Sequence, residues 1–184
     1  DLYLSQLFHK AAQTQGGTNS GKEIALAAVG GYGRGELSPG SDLDIVFLHS
    51  GKVSPENLKT FVNEVLYPLW DTKSVDHSVR TRSETREAAS ADLRVATGLL
   101  DIRYIAGNPD LVSAVQADAL DFWRKNAKEN LSNLHNSLEQ RHSRAGELAY
   151  LLEPDLKEAR GGLRDIQALR AISLSGAVQV PLEK

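Results

Sequence analysis

The sequence predicts an α+β fold, in which a small mixed β-sheet packed with helices is followed by an all-α helical domain. Three observations predict it. The short apolar runs Ile24 to Val29 and Asp42 to Leu48, together with the alternating Val75-Asp76-His77-Ser78-Val79, gather the strands towards the start of the chain. The segment joining the first two strands carries Gly30, Gly31, Gly33, Gly35, Pro39 and Gly40, the composition of a turn and not of a crossover helix. Beyond residue 80 the apolar residues recur almost throughout at helical spacing.

The elements follow in order. Leu2, Leu4, Leu7, Phe8 and Ala11 mark a first helix, interrupted by the polar, glycine-rich stretch from Gly16 to Gly21. After the strand-turn-strand unit, Ser54-Pro55 opens a helix with serine as cap and proline at the first helical position, and Leu58, Phe61, Val62, Val65, Leu66 and Leu69 line its apolar face. Leu93, Ala96, Leu99, Leu100 and Arg103 predict one helix that ends near Gly107-Asn108-Pro109. The expected domain boundary lies there, with a first domain over 1–107 and a second over 108–184. Leu111, Val115, Leu120, Leu131, Leu134, Leu138 and Leu148 predict long amphipathic helices, and a last helix opens after Gly161-Gly162.

Composition narrows the function classes. An apolar fraction of 41% with 24% charged residues is ordinary for a globular protein and excludes wholesale disorder. No apolar run reaches the roughly 20 residues that span a bilayer, so no membrane partner is expected. A formal net charge of -3 argues against a nucleic-acid partner, because proteins that neutralise many backbone phosphates carry a basic face. Without cysteine there is neither a disulfide framework nor a thiolate metal site, and without a signal-like opening segment the expected location is the cytoplasm. A first residue that is not methionine, and a last one just past an apolar stretch, read as a piece of a longer chain.

The chemistry is concentrated around the glycine turn. Asp42 and Asp44 bracket Leu43 at the start of a strand, so both carboxylates are expected on one face while Leu43 and Ile45 enter the core. Two carboxylates sharing a small space repel unless a cation joins them, and magnesium suits all-oxygen ligands completed by substrate phosphates. Gly30 and Gly31 let the backbone approach a phosphate, a following helical turn would offer its amides, and Arg34 could add a side-chain contact. Lys157, Arg160 and Arg164 around Gly161-Gly162 form a second candidate anion site at a helix start.

The run Val29-Gly30-Gly31-Tyr32-Gly33-Arg34-Gly35-Glu36-Leu37-Ser38-Pro39-Gly40-Ser41-Asp42-Leu43-Asp44 resembles the signature of the polymerase-β-type nucleotidyltransferases. Within that superfamily it is most similar to the N-terminal domain of the PII-protein uridylyltransferases, and Glu153-Pro154-Asp155-Leu156-Lys157-Glu158-Ala159-Arg160-Gly161-Gly162-Leu163-Arg164-Asp165-Ile166-Gln167 resembles that family's helical-domain motif. The resemblance implies a nucleotidyltransferase core in which Asp42 and Asp44 hold two catalytic magnesium (Mg2+) ions, the second shared with Asp76 as the third catalytic carboxylate. It implies that a nucleoside triphosphate, UTP or ATP, is bound by Gly30, Gly31, Arg34 and Ser41, and from the helical side by Lys157, Gly161, Gly162 and Arg164. It further implies that UMP or AMP passes to a tyrosine hydroxyl of the PII signalling protein, while nucleotide removal and amino-acid sensing reside in later domains. Asp76 departs from many members of the family, which carry glycine there; glutamine-synthetase adenylyltransferases have aspartate in a comparable setting.

Other readings are weaker. Gly16 to Lys22 has P-loop spacing, but Glu23 stands where a magnesium-binding serine or threonine belongs and a strand follows. His135, Glu139 and His142 share a helix face and are read as solvated, without zinc. A nucleotidyltransferase for RNA or a small molecule, or a catalytically silent nucleotide-binding module, are the alternative functions.

Overall fold

The computed structural model describes residues 1–14, 20–37, 40–70, 74–146, 152–153 and 155–176. The glycine-rich stretch before Ser20 therefore lies largely outside the described residues, as do Ser38, Pro39, Leu148 and Pro154. The chain divides into two compact units, Asp1–Ala119 and Leu120–Lys184.

The first unit is built on a four-stranded mixed sheet of order β3-β2-β1-β4. Its strands are β1 (Ile24–Ala28), β2 (Leu43–His49), β3 (Val75–Thr81) and β4 (Arg103–Gly107). β1 is antiparallel to both β2 and β4, whereas β2 and β3 run parallel. Every residue of β1 is buried, so its backbone groups need strand partners on both sides, and β4 supplies the second.

β4 corrects the sequence reading, which extended one helix through Arg103. The helix there stops at Leu99, and Arg103–Gly107 is strand. Arg103-Tyr104-Ile105-Ala106-Gly107 shows no apolar/polar alternation, although Tyr104 and Ile105 have the side chains that suit a pleated surface.

Helices cover the sheet. α1 (Leu2–Thr14) packs on β4 and on α4 (Pro55–Leu66), and these two carry Leu4, Phe8, Ala11, Leu58, Phe61 and Val65 into a core with Leu26, Ile45 and Phe47. The Phe8 and Phe61 rings meet edge to face at 4.9 Å. Ser54 caps α4 by accepting the Asn57 amide, with proline at the helix start as the sequence predicts. A four-residue helix α2 (Ser20–Glu23) leads into β1 and a five-residue helix α3 (Gly30–Arg34) follows it. Past β3, α5 (Arg82–Ala91) opens with a reciprocal capping box between Thr81 and Glu84 and packs along β3, and α6 (Leu93–Leu99) packs on α5 and α3.

α7 (Pro109–Lys125) begins where the domain boundary was expected, after Gly107, but the units divide later, at Ala119 and Leu120 inside this helix. Asp118 accepts paired hydrogen bonds from both Arg82 and Arg86, which hold its carboxyl well below the usual carboxylate range and tie this part of α7 to α5. The second unit contains α8 (Ala127–Ala145) and α9 (Leu163–Leu174). Among the described residues no helix is long and apolar enough to cross a membrane.

The Phe8–Phe61 contact gives a direct test of the helical cover. Phe61→Ala should lower the unfolding free energy by about 3–5 kcal/mol, the usual cost of emptying a packed aromatic site, with no change in urea m-value. A loss below about 1 kcal/mol would show that α4 is not anchored through this ring.

Candidate functional site

The site forms where β1 hands the chain to β2. In β2 the alternation sends Leu43, Ile45 and Phe47 to the α1–α4 core and turns Asp44 to the opposite face. Asp44 and Asp76 are register partners on the parallel strands β2 and β3, so they stand side by side on one face, with backbones about 4.8 Å apart. Ser41 and Asp42 are exposed immediately ahead of β2. Asp44 is half-buried and Asp76 exposed, so the pair faces outward at the end of the sheet.

α3 completes the site. Gly30 takes φ +55°, and a Cβ there would lie 3.3 Å from Oδ2 of Asp44, so the turn needs glycine both for its backbone and for the carboxylate beside it. The Val29 amide donates to the Asp44 carbonyl at 3.0 Å and fixes the turn to β2. Val29 offers no side-chain cap to the helix, and among the described residues no acceptor takes the amides of Gly30 or Gly31. Two half-buried backbone donors thus lie next to two register-paired carboxylates.

Arg34 is held by two carboxylates. Its Nη1 donates to Asp101 at 2.7 Å and its Nε to Glu36 at 2.6 Å, and only 8% of its side chain is exposed. Through Nη1 it fastens α3 to the segment after α6, while Nη2 lies 3.8 Å from where a Gly31 Cβ would be. Arg103, which the sequence reading passed over, secures the other end of the short helix. It donates to the carbonyls of Gly33 (2.9 Å) and Tyr32 (3.0 Å), pairs with Asp1 at 2.6 Å and stacks over the Tyr32 ring. Gly33 is also unforeseen: a Cβ there would stand 2.1 Å from the Asp101 carbonyl oxygen, so only glycine lets α3 lie this close to that segment.

The second candidate anion site, in the second unit, is closed on itself. The Gly161 amide donates to Asp165 Oδ2 (2.7 Å), Gly162 to Ala159 (2.8 Å), Leu163 to Leu156 (2.9 Å) and Arg164 to Lys157 (3.2 Å). The Arg164 guanidinium is paired with Glu158 at 2.6 Å, and Lys157 is exposed. Each backbone donor that Gly161 and Gly162 could offer to a phosphate is spent within the motif, and the anion at the start of α9 is the chain's own Asp165. That carboxylate also accepts from Arg141 and bonds Nε2 of His142 at 2.9 Å. His142, read from sequence as solvated, is thus partly buried and engaged, while His135 and Glu139 are exposed.

Magnesium fits the donor set at the sheet end in chemistry: the side chains are all hard oxygen ligands, and one or two carboxylates suffice when substrate phosphates complete the shell. Among the described residues no group of three or more His, Cys, Asp or Glu side chains is placed to hold a metal ion by itself.

The comparisons with known proteins agree with this layout. Residues 17–129 match the family model described as "Nucleotidyltransferase domain", and residues 129–174 match that of "GlnD PII-uridylyltransferase". Three relatives are each named bifunctional uridylyltransferase/uridylyl-removing enzyme. The one from Streptomyces coelicolor is 45% identical over 184 residues, covering 100% of this chain and 21% of that protein. The one from Mycobacterium tuberculosis is 42% identical over 176 residues, 95% of this chain and 21% of the relative. That from Vibrio campbellii is 41% identical over 155 residues, 79% and 17% respectively. The chain therefore spans about a fifth of the length of these relatives.

Asp165 supplies a pH test for the second unit. Burial would raise its pKa, but the Gly161 amide, His142 and Arg141 outweigh burial and hold it at about 2, against 3.8 for an ordinary aspartate. A depressed carboxyl stabilises the fold above its unfolded pKa and loses that contribution as pH falls through the folded value. Asp165→Asn should therefore cost on the order of 1 kcal/mol near neutrality, discounted for partial solvent screening. The gap to the parent chain should close as pH drops from 3.8 towards about 2. A gap independent of pH in urea titrations across that window would refute the assignment.

Proposed function

Because the chain belongs to the nucleotidyltransferase domain family, we propose that it transfers a nucleoside monophosphate, UMP or AMP, from the triphosphate to a tyrosine hydroxyl of the PII nitrogen-regulatory protein, with magnesium as cofactor and in the cytoplasm. The observation that carries this reading is the juxtaposition of Asp44 and Asp76, in register on parallel strands, with the uncapped Gly30–Gly31 turn. The acceptor is supported by the match of residues 129–174 to a PII-uridylyltransferase model and by the printed names of the relatives.

In this reading Asp42 and Asp44 hold the metal, with Asp76 beside them. When bound, magnesium would neutralise phosphate charge and polarise the α-phosphate. The chain's own residues do the rest. The Gly30 and Gly31 amides donate to phosphate oxygens, and α3, clamped by Arg34 and Arg103, keeps those donors in place. Asp76, on the outer side of Asp44, orients the incoming tyrosine oxygen and accepts its proton. The tyrosine oxygen bonds to the α-phosphorus, the bond to the β-phosphate oxygen breaks, and pyrophosphate leaves.

The test is transfer of labelled nucleotide from UTP and from ATP to PII protein in the presence of magnesium. Asp42→Asn and Asp44→Asn should each reduce transfer by at least about a hundredfold, with the unfolding free energy changed by less than about 0.5 kcal/mol. Asp76→Asn should lower kcat strongly and leave triphosphate affinity near that of the parent chain. Undiminished transfer in either of the first two variants defeats the assignment, and an unchanged kcat in the third makes Asp76 a surface residue.

A further inference from the structure

Gly98, in α6, has no structural need to be glycine. Its φ is not positive, so its backbone suits any residue. A Cβ built on it meets one atom within 4 Å, the amide nitrogen of Gly30 at 3.9 Å, which is ordinary van der Waals contact. Alanine would therefore fit without strain, and within a helix alanine is the more stable choice. The contrast with Gly33 is direct, since a Cβ there would collide with the Asp101 carbonyl at 2.1 Å. Gly98 keeps a less favourable residue where folding asks for none, and the atom it leaves uncovered is a backbone donor of the candidate site.

We propose that Gly98 is a specificity-determining residue of the nucleotide site, whose missing side chain leaves room for a triphosphate oxygen to reach the Gly30 amide beside Asp44. This rests on the nucleotidyltransferase reading above and deepens it by assigning one wall of the site. Two further observations agree on the position. α6 packs directly on α3. Gly30 also adjoins a candidate metal ligand, since Oδ2 of Asp44 lies 3.3 Å from where its Cβ would be. Gly98 is half-buried, and a methyl group there would stand 3.9 Å from that amide nitrogen. The group recognised is a phosphate oxygen carried by a nucleoside triphosphate. Gly98 itself makes no polar contact and takes no part in the chemistry.

The experiment uses the chain as it stands and measures three quantities on Gly98→Ala and Gly98→Val: the urea midpoint, the Kd of UTP and of ATP with magnesium by titration calorimetry, and the KM and kcat for transfer to PII protein. The expected result is that Gly98→Ala raises the urea midpoint, while Kd and KM for the preferred triphosphate rise about tenfold or more, the worth of one lost hydrogen bond to a charged group. Gly98→Val should weaken binding further, with kcat at saturating nucleotide changed less than KM. A structural role alone would lower stability and leave Kd untouched. A parent chain that binds neither triphosphate overturns the nucleotidyltransferase reading and this inference with it. A parent chain that binds, with Gly98→Ala binding equally well, overturns this inference alone.

Discussion

Two arginines, Arg34 and Arg103, hold the short helix between β1 and β2, and the geometry of the site depends on that hold. Five residues cannot sustain a helix unaided, because nucleation costs more than so few hydrogen bonds return. Arg34 ties this one to Asp101, and Arg103 donates to the Gly33 carbonyl and, alongside the Gly35 amide, to that of Tyr32. Both members of the Arg34–Asp101 pair are nearly inaccessible, with 8% and 5% of their side chains exposed. A pair desolvated to this degree contributes little net stability, because removing two charges from water costs about what their attraction returns. Its value is positional: breaking it would strand a buried charge, so α3 has one placement, with Gly30 against Asp44.

The sheet sets the other half of the site. Alternation in β2 divides its residues between the core and the outward face, and the parallel register with β3 decides which side chain stands beside Asp44. A slip of one residue would bring Val75 or His77 there and turn the apolar residues of β3 to the wrong side. Val75 and Val79 pack against the same core as Ile45 and Phe47, so hydrophobic burial enforces the register that pairs the two carboxylates. Core packing and site geometry are thus one constraint expressed on two faces.

Much of this was legible in the sequence, and the exceptions share a cause. The Ser54-Pro55 start, the apolar β1 and β2 runs, the β3 alternation and the helix after Gly161-Gly162 rest on local chemistry, and all are present. Asp42, Asp44 and the glycine turn were legible for the same reason, as spacings within a short stretch. β4 was not, because what makes Arg103–Gly107 a strand is the vacant edge of β1, a fact of tertiary structure. The partners of Arg34 and of the Gly161 amide were hidden for the same reason. A sequence shows that Arg34 can bind an anion but not that Asp101, 67 positions away, has already supplied one. Asp165, four residues after Gly161, could have been anticipated as a carboxylate in the first turn of a helix.

The commitments of these cations bear on how a nucleoside triphosphate could be accommodated. A triphosphate brought towards Asp42, Asp44 and Asp76 adds negative charge to negative charge, and at separations of a few ångströms that repulsion amounts to several kcal/mol even at an effective dielectric of about 20. Arg34, in α3, and Arg103, in β4, hold α3 in place. Backbone amides carry only partial charge, and a five-residue helix lends little macrodipole. In the proposed reading, divalent cations bridging its phosphates to the carboxylates supply charge compensation. The amides of Gly30 and Gly31 then serve direction more than strength, fixing which oxygens face inward. This division of labour explains why the turn is built from glycine and not from a cluster of free arginines, and why its position is so firmly held.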